Sequence, residues 1–217
     1  LEEEYKSVLK NSPKDQRTHY ALSFSEIPGA LLYSYAHELM RTSGFPAERI
    51  IESLGVINKE MFQDTATGWK IHMTQNWEPL ESATEERFVK GLNLVTAQYT
   101  FVGPLLIGTI LAGKRKEFEK PLRKYGMWVG TAFQIHDDIL GLFGDSKKTG
   151  KAVGNDVREG KKTLLIQRAY KNAAEEDKAF LKKVLGSNLT PQDLKRVQNI
   201  VQKTGSLEYS KTRAAEC

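Results

Sequence analysis

Apolar residues recur at three- and four-residue intervals along most of the chain, the spacing that gathers them on one face of an α-helix. Leu31, Leu32, Tyr35 and Leu39 form one such stripe, and Phe88, Leu92, Val95 and Tyr99 form another. Strict alternation, the mark of a half-buried strand, is scarce. Punctuation residues place the helix ends. Ser12-Pro13 and Phe45-Pro46 mark starts or stops, and Thr190-Pro191 supplies an N-cap followed by the first helical residue. Thr84, with Arg87 and Phe88 behind it, opens a helix after the loop at 76–83, where Ser82 and Glu85 have the spacing of a capping box. The pattern predicts about seven or eight helices with short links, no sheet and no internal repeat, hence a single all-α bundle domain over residues 1–217.

Composition narrows this without changing it. With 40% hydrophobic and 27% charged residues and only 7 prolines, the chain has the make-up of an ordered globular protein. Its net charge of +5 is spread along the sequence and not gathered into a basic block, which argues against a nucleic-acid partner. The single cysteine, Cys217, permits no intramolecular disulfide and favours a reducing, cytoplasmic setting. Apolar runs such as 101–113 are broken by glycine and proline and stop short of the roughly 20 residues of a membrane span, so no transmembrane helix is expected. The charged, helix-like start LEEEYKSVLKN does not read as a signal peptide.

The chemistry is concentrated in 133–163. Gln134 stands three residues before Asp137 and four before Asp138, so the three polar groups can share a helix face, flanked by Phe133, Ile135, Ile139, Leu140 and Leu142. Adjacent carboxylates withdrawn from water raise each other's pKa and call for a cation between them. All-oxygen ligands point to Mg2+. A partly exposed helix with solvated Asp137 and Asp138 is the alternative that the pair alone leaves open. The loop that follows carries Gly144, Gly150, Gly154 and Gly160 for tight turns, and Lys151, Lys161 and Lys162 to return ammonium groups toward the acids. A ligand wanting a divalent cation on one side and ammonium groups on the other is phosphorylated, and a diphosphate fits best. His136 reads as a surface residue, and His19, His37 and His72 lack metal-ligand spacing. Trp69 and Trp77 read as packing under a loop, and Lys147, Lys148 and Lys162 as solvated.

The whole segment FQIHDDILGLFGDSKKTGKAVGNDVREGKKT resembles the second aspartate-rich region of the trans-isoprenyl diphosphate synthases. The shared order is FQ, two residues, DD, then GD, TGK, G-x-D and a final GKKT. VTAQYT at 95–100 with Pro104 is similar to that family's Lys-Thr helix, GALLYSYAHELM at 29–40 to its helix after the first aspartate-rich motif, and TGSLEYSKTRA at 204–214 to a late helix. The resemblance implies an isoprenoid synthase-type helical bundle, a homodimer, and a Mg2+-dependent head-to-tail condensation of an allylic diphosphate with isopentenyl diphosphate to a short- or medium-chain product. It further implies that Asp137 and Asp138 hold metal and that Lys151 and Lys161 meet the allylic diphosphate. Gln134, Thr96 and Tyr99 would line the pocket near the reacting carbons, and Asp156 would bind metal through water or position the loop.

The chain departs from that family at several places. It contains no first DDxxD and no Arg-Arg-Gly after one, and Gly141 stands where many members have a third aspartate. Gly68-Trp69-Lys70-Ile71-His72 replaces Gly-Gln-x-x-Asp, and Val95 replaces the lysine of Lys-Thr. Two other readings therefore stand beside the synthase: a non-catalytic prenyl-diphosphate-binding relative or partner subunit, and a terpene cyclase on the same fold.

Overall fold

The computed structural model describes residues 12–150 and 152–217, and among them every regular element is helical. The chain divides into two compact units, one ending at Leu54 and one running from Gly55 to Cys217. The first holds α1 (Lys14–Arg41), which starts directly after Pro13, and α2 (Ala47–Val56), whose last two residues open the second unit. The stripe Leu31, Leu32, Tyr35 and Leu39 lies on α1 as expected, but all four side chains are exposed. Spacing dictates which residues share a face and says nothing about whether that face is covered.

In the second unit a π-helical stretch, Ile57–Gln63, leads into α3 (Asp64–Trp77), followed by a 3-10 turn at Leu80–Ser82. Next come α4 (Glu85–Leu92), a second π-helical stretch (Asn93–Val102) and α5 (Gly103–Leu111). The long α6 (Arg115–Phe143) gives way to two short helices in the glycine-lysine loop, α7 (Ser146–Thr149) and α8 (Asn155–Arg158). Four more complete the unit: α9 (Leu164–Asn172), α10 (Glu175–Val184), α11 (Pro191–Lys203) and α12 (Ser206–Ala215). The segments outnumber the seven or eight expected because single turns and changes of helical type leave no periodic signature.

The caps explain two boundaries. Thr190 and Asp193 form a reciprocal capping box in front of α11, a device that stabilises a helix by about 1 kcal/mol. Before α4 it is Thr84 that accepts from the Arg87 backbone N–H, at 3.3 Å. Ser82 belongs to the 3-10 turn and donates to the Pro79 carbonyl at 2.8 Å, so the expected Ser82–Glu85 box does not form.

Helix Glu85–Leu111 is continuous through Gly103 and Pro104, and by length and composition it is long and apolar enough to cross a membrane. The expectation from 101–113 counted only the run between breakers. Pro104 removes one backbone N–H where the π-helical stretch passes into α5, and the rod continues through it. The protein uses this rod as core: Leu92, Ala97, Val102, Leu106 and Ile110 are all buried, each large one contributing roughly 1.5–3 kcal/mol. The rod runs antiparallel to α6 at very short range. A Cβ on Gly130 would lie 2.4 Å from the Ala97 Cα, and one on Gly126 would lie 2.9 Å from a Val102 methyl. That approach turns Ile135, Ile139 and Leu142 of α6 into the main core with Leu164, Leu165, Val197 and Val201, and leaves Gln134, Asp137 and Asp138 facing a cavity.

Candidate active site

The cavity has a volume of about 260 Å³ and lies among α3, the π-helical stretch Asn93–Val102, α6 and the start of α9. Two glycine contacts bring α6 against the π-helical stretch, and side chains then bridge the seam. Thr131 donates to the Asn93 side-chain carbonyl at 2.8 Å. Thr96 donates to Gln134 Oε1 at 2.7 Å, and Gln134 Nε2 passes the chain on to Asp138 Oδ1 at 2.9 Å. The structure thus brings Gln134, Thr96, Asp137 and Asp138 to one cavity.

Asp138 is 7% exposed, and its second oxygen, Oδ2, is buried without a hydrogen-bond partner. Burial pushes its carboxyl up to about 8, the Gln134 hydrogen bond opposes the shift, and the charges of Asp156 and then Asp137 add to it. The repulsion expected between neighbours is therefore real but secondary to desolvation. A buried carboxylate oxygen with nothing to bind is costly. It suits a cation.

Asp156 arrives from the loop on α8, and its Oδ1 accepts from Lys161 Nζ at 2.7 Å. Lys161 also pairs with Glu159 at 2.9 Å. Burial alone would lower the Lys161 pKa, but these two carboxylates outweigh it and hold the ammonium firmly charged. Lys162 is not solvated as its composition suggested. It is 7% exposed, with its Nζ donating to the Gln75 carbonyl, so it ties the loop to α3. A lysine's four-carbon stem lets spacing alone decide very little about where its charge ends. Lys151 falls outside the described residues.

The opposite wall is neutral. Trp69, His72, Met73, Phe88, Val95 and Tyr99 line it, with Gln75 and Asn76 at its edge. His72 meets Phe88 edge-on, and burial followed by the Lys161 charge depresses its pKa below the usual histidine value. Trp69 is half exposed beside the cavity and Trp77 is 91% exposed, so neither packs beneath a loop as expected. Tyr99 is also half exposed, and His136 lies on the surface. Met73, Gln75 and Asn76 were not anticipated, although they lie one helical turn beyond Trp69 and His72 on the same helix.

Among the described residues, no three or more His, Cys, Asp or Glu side chains are gathered into a ready-made cation site. The donors nevertheless fit a hard divalent ion. Carboxylate oxygens of Asp137, Asp138 and Asp156 line one cavity, one of them is an orphan, and a phosphorylated ligand can complete an oxygen shell.

The all-helical architecture and the cavity that sets buried Asp138 beside a charged lysine can be compared with known proteins, whose matches carry the isoprenoid synthase fold. The sequence profile of the polyprenyl synthetase family matches residues 18–204, and the chain belongs to that family. It is 30% identical over 194 residues to the geranylgeranyl diphosphate synthase of Sulfolobus acidocaldarius, covering 88% of this chain and 57% of the relative. It is 46% identical over 108 residues to the geranylfarnesyl diphosphate synthase of Aeropyrum pernix, covering 50% of this chain and 33% of that one. The crystal structure of geranylgeranyl pyrophosphate synthase from Corynebacterium glutamicum, complexed with isoprenyl diphosphate and magnesium, superposes with a TM-score of 0.87 at 27% identity. That match covers 100% of this chain and 60% of the other. The chain thus spans between a third and about three-fifths of the length of these relatives.

Proposed function

We propose that this protein is a prenyltransferase that condenses an allylic diphosphate with isopentenyl diphosphate to a short- or medium-chain prenyl diphosphate. The observation that carries the reading is Asp138: a buried carboxylate with an orphaned oxygen, on the rim of a cavity that also holds a charged lysine. Asp137, Asp138 and Asp156 would hold Mg2+, which when bound neutralises charge on the departing diphosphate. Lys161 meets the same diphosphate with its ammonium. Lys151 belongs to this set by the motif alone. The hydrogen-bonded chain from Thr96 through Gln134 fixes one oxygen of Asp138 and leaves the other to the cation. Tyr99 and Gln134 stand beside the space where the allylic carbons would sit, and Trp69, Met73, Phe88 and Val95 give that space its apolar side. We read residues 1–217 as one polyprenyl synthetase-like domain of a cytoplasmic homodimer, in keeping with the family resemblance.

A second reading, a relative that binds a prenyl diphosphate without condensing it, is favoured by one feature: Val95 and His72 supply no cation to the wall facing the acids, and the ammonium of Lys162 there is already engaged by the Gln75 carbonyl. Purified protein supplied with Mg2+ and an allylic diphosphate, with and without isopentenyl diphosphate, separates the cases. Elongated product that requires both substrates supports the prenyltransferase. Diphosphate release from the allylic substrate alone points to a cyclase. Binding with neither outcome supports the non-catalytic relative.

A further inference from the structure

Position 141 lies three residues after Asp138 and four after Asp137, so a side chain there would share their face of α6. The space it would fill is taken. A Cβ on Gly141 would stand 2.7 Å from Asp156 Oδ2, well inside any real contact. The same residue's carbonyl accepts from the Gly154 N–H at 2.8 Å, which docks the loop on α6 two residues before Asp156. Gly154 has φ of 84°, a left-handed conformation that other residues rarely adopt, so the dock itself requires glycine. From the far side Lys161 holds the other carboxylate oxygen, and its backbone N–H donates to the Asp156 carbonyl at 2.9 Å.

We propose that Gly141 is a positioning residue whose missing side chain lets the Asp156 carboxylate lie against α6 beside Asp138, where it acts as the third carboxylate for the cation. The inference rests on the magnesium diphosphate reading above. It makes glycine at 141 and the pose of Asp156 interdependent: one supplies the space, the other the oxygen.

The test is calorimetric titration of the metal-free protein with Mg2+ plus inorganic diphosphate, on the unaltered chain and on Gly141→Ala, Asp156→Ala and the double variant. We expect Gly141→Ala to weaken binding by about tenfold, the scale on which supporting residues act on metal affinity. Asp156→Ala should cost at least as much, and the double variant should bind no more weakly than Asp156→Ala alone, because the two changes remove the same oxygen. Metal-free melting temperatures give a second readout. Alanine is the better helix former, so the change at 141 should raise the melting temperature in the Asp156→Ala background, and the collision with Asp156 should cancel or reverse that gain where Asp156 is kept. Binding by Gly141→Ala equal to the unaltered chain, additive losses in the double variant, or a melting change from Gly141→Ala that is the same with and without Asp156→Ala would each overturn the inference while leaving the prenyltransferase reading in place. Absence of magnesium diphosphate binding by the unaltered chain would overturn both.

Discussion

The two walls of the cavity were built by different rules. On the α6 and loop side, residues 134–163 keep an ordered motif, and its charges are held in a strained balance: Asp138 buried and half-satisfied, Lys161 clamped between Asp156 and Glu159. On the α3 side, Trp69, His72 and Val95 occupy the positions where the family resemblance leads one to expect an amide, a carboxylate and an ammonium, and among the described residues no side chain of that wall has a buried polar atom without a partner. A wall that costs stability without a ligand is one shaped for a ligand, whereas the neutral wall is already content. Apart from Lys162, whose ammonium is tied to the Gln75 carbonyl, binding charge resides on the α6 and loop side.

The sharpest way to break the comparison is to neutralise its charged wall. Asp138→Ala should reduce condensation of an allylic diphosphate with isopentenyl diphosphate by at least about 100-fold, the scale of losing one electrostatic stabiliser of a leaving group. A steady-state assay that finds less than tenfold would move the cation elsewhere.

Next in size is the cost of that wall in the absence of metal. The Asp138 carboxyl stands near 8 in the folded chain, above its ordinary value. Between those two values the folded state binds more protons than the unfolded one, so this group makes stability fall as pH rises through the window, with the penalty complete above about 8. Metal-free Asp138→Asn should therefore melt several degrees above the unaltered chain at high pH and show little difference near pH 4. Parallel melting curves across the window would count against the burial argument. Added Mg2+ with inorganic diphosphate should narrow the gap by stabilising the unaltered chain alone.

The remaining tests act on the neutral wall. Val95→Lys brings an ammonium into the cavity and should tighten inorganic diphosphate binding several-fold. No change would mean that this wall does not face the diphosphate at all. His72→Gln should matter least. Burial and the Lys161 charge lower the His72 pKa and so favour the neutral imidazole, and diphosphate binding should stay within about threefold and keep the same pH profile above about 7. A profile that shifts with this substitution would show that the neutral wall carries charge after all.

Much of the charged wall was legible beforehand because its information is local. Gln134, Asp137 and Asp138 share a face by helical spacing, and Thr190 with Pro191 marks a helix start for the same short-range reason. What spacing could not carry was the destination of long side chains. Lys161 and Lys162 are neighbours, yet one turns to Asp156 and Glu159 and the other crosses to the Gln75 carbonyl. The π-helical stretches at Ile57–Gln63 and Asn93–Val102 were equally invisible, since apolar spacing does not report whether a turn closes on the fourth or the fifth residue. Gln98 ties them together through Glu60 at 2.6 Å, with Arg123 on the same carboxylate, a contact between residues far apart in sequence. The stripe on α1 shows the reverse limit: the helix was evident, and its burial was not.

The most direct test of the central claim is a crystal structure of the protein grown with Mn2+ and a non-ionising allylic diphosphate analogue, read by anomalous scattering. A metal peak should appear about 2.1 Å from the orphaned oxygen of Asp138, with the diphosphate between it and Lys161. A diphosphate lying against Trp69 and His72, with no metal at Asp138, would contradict the claim.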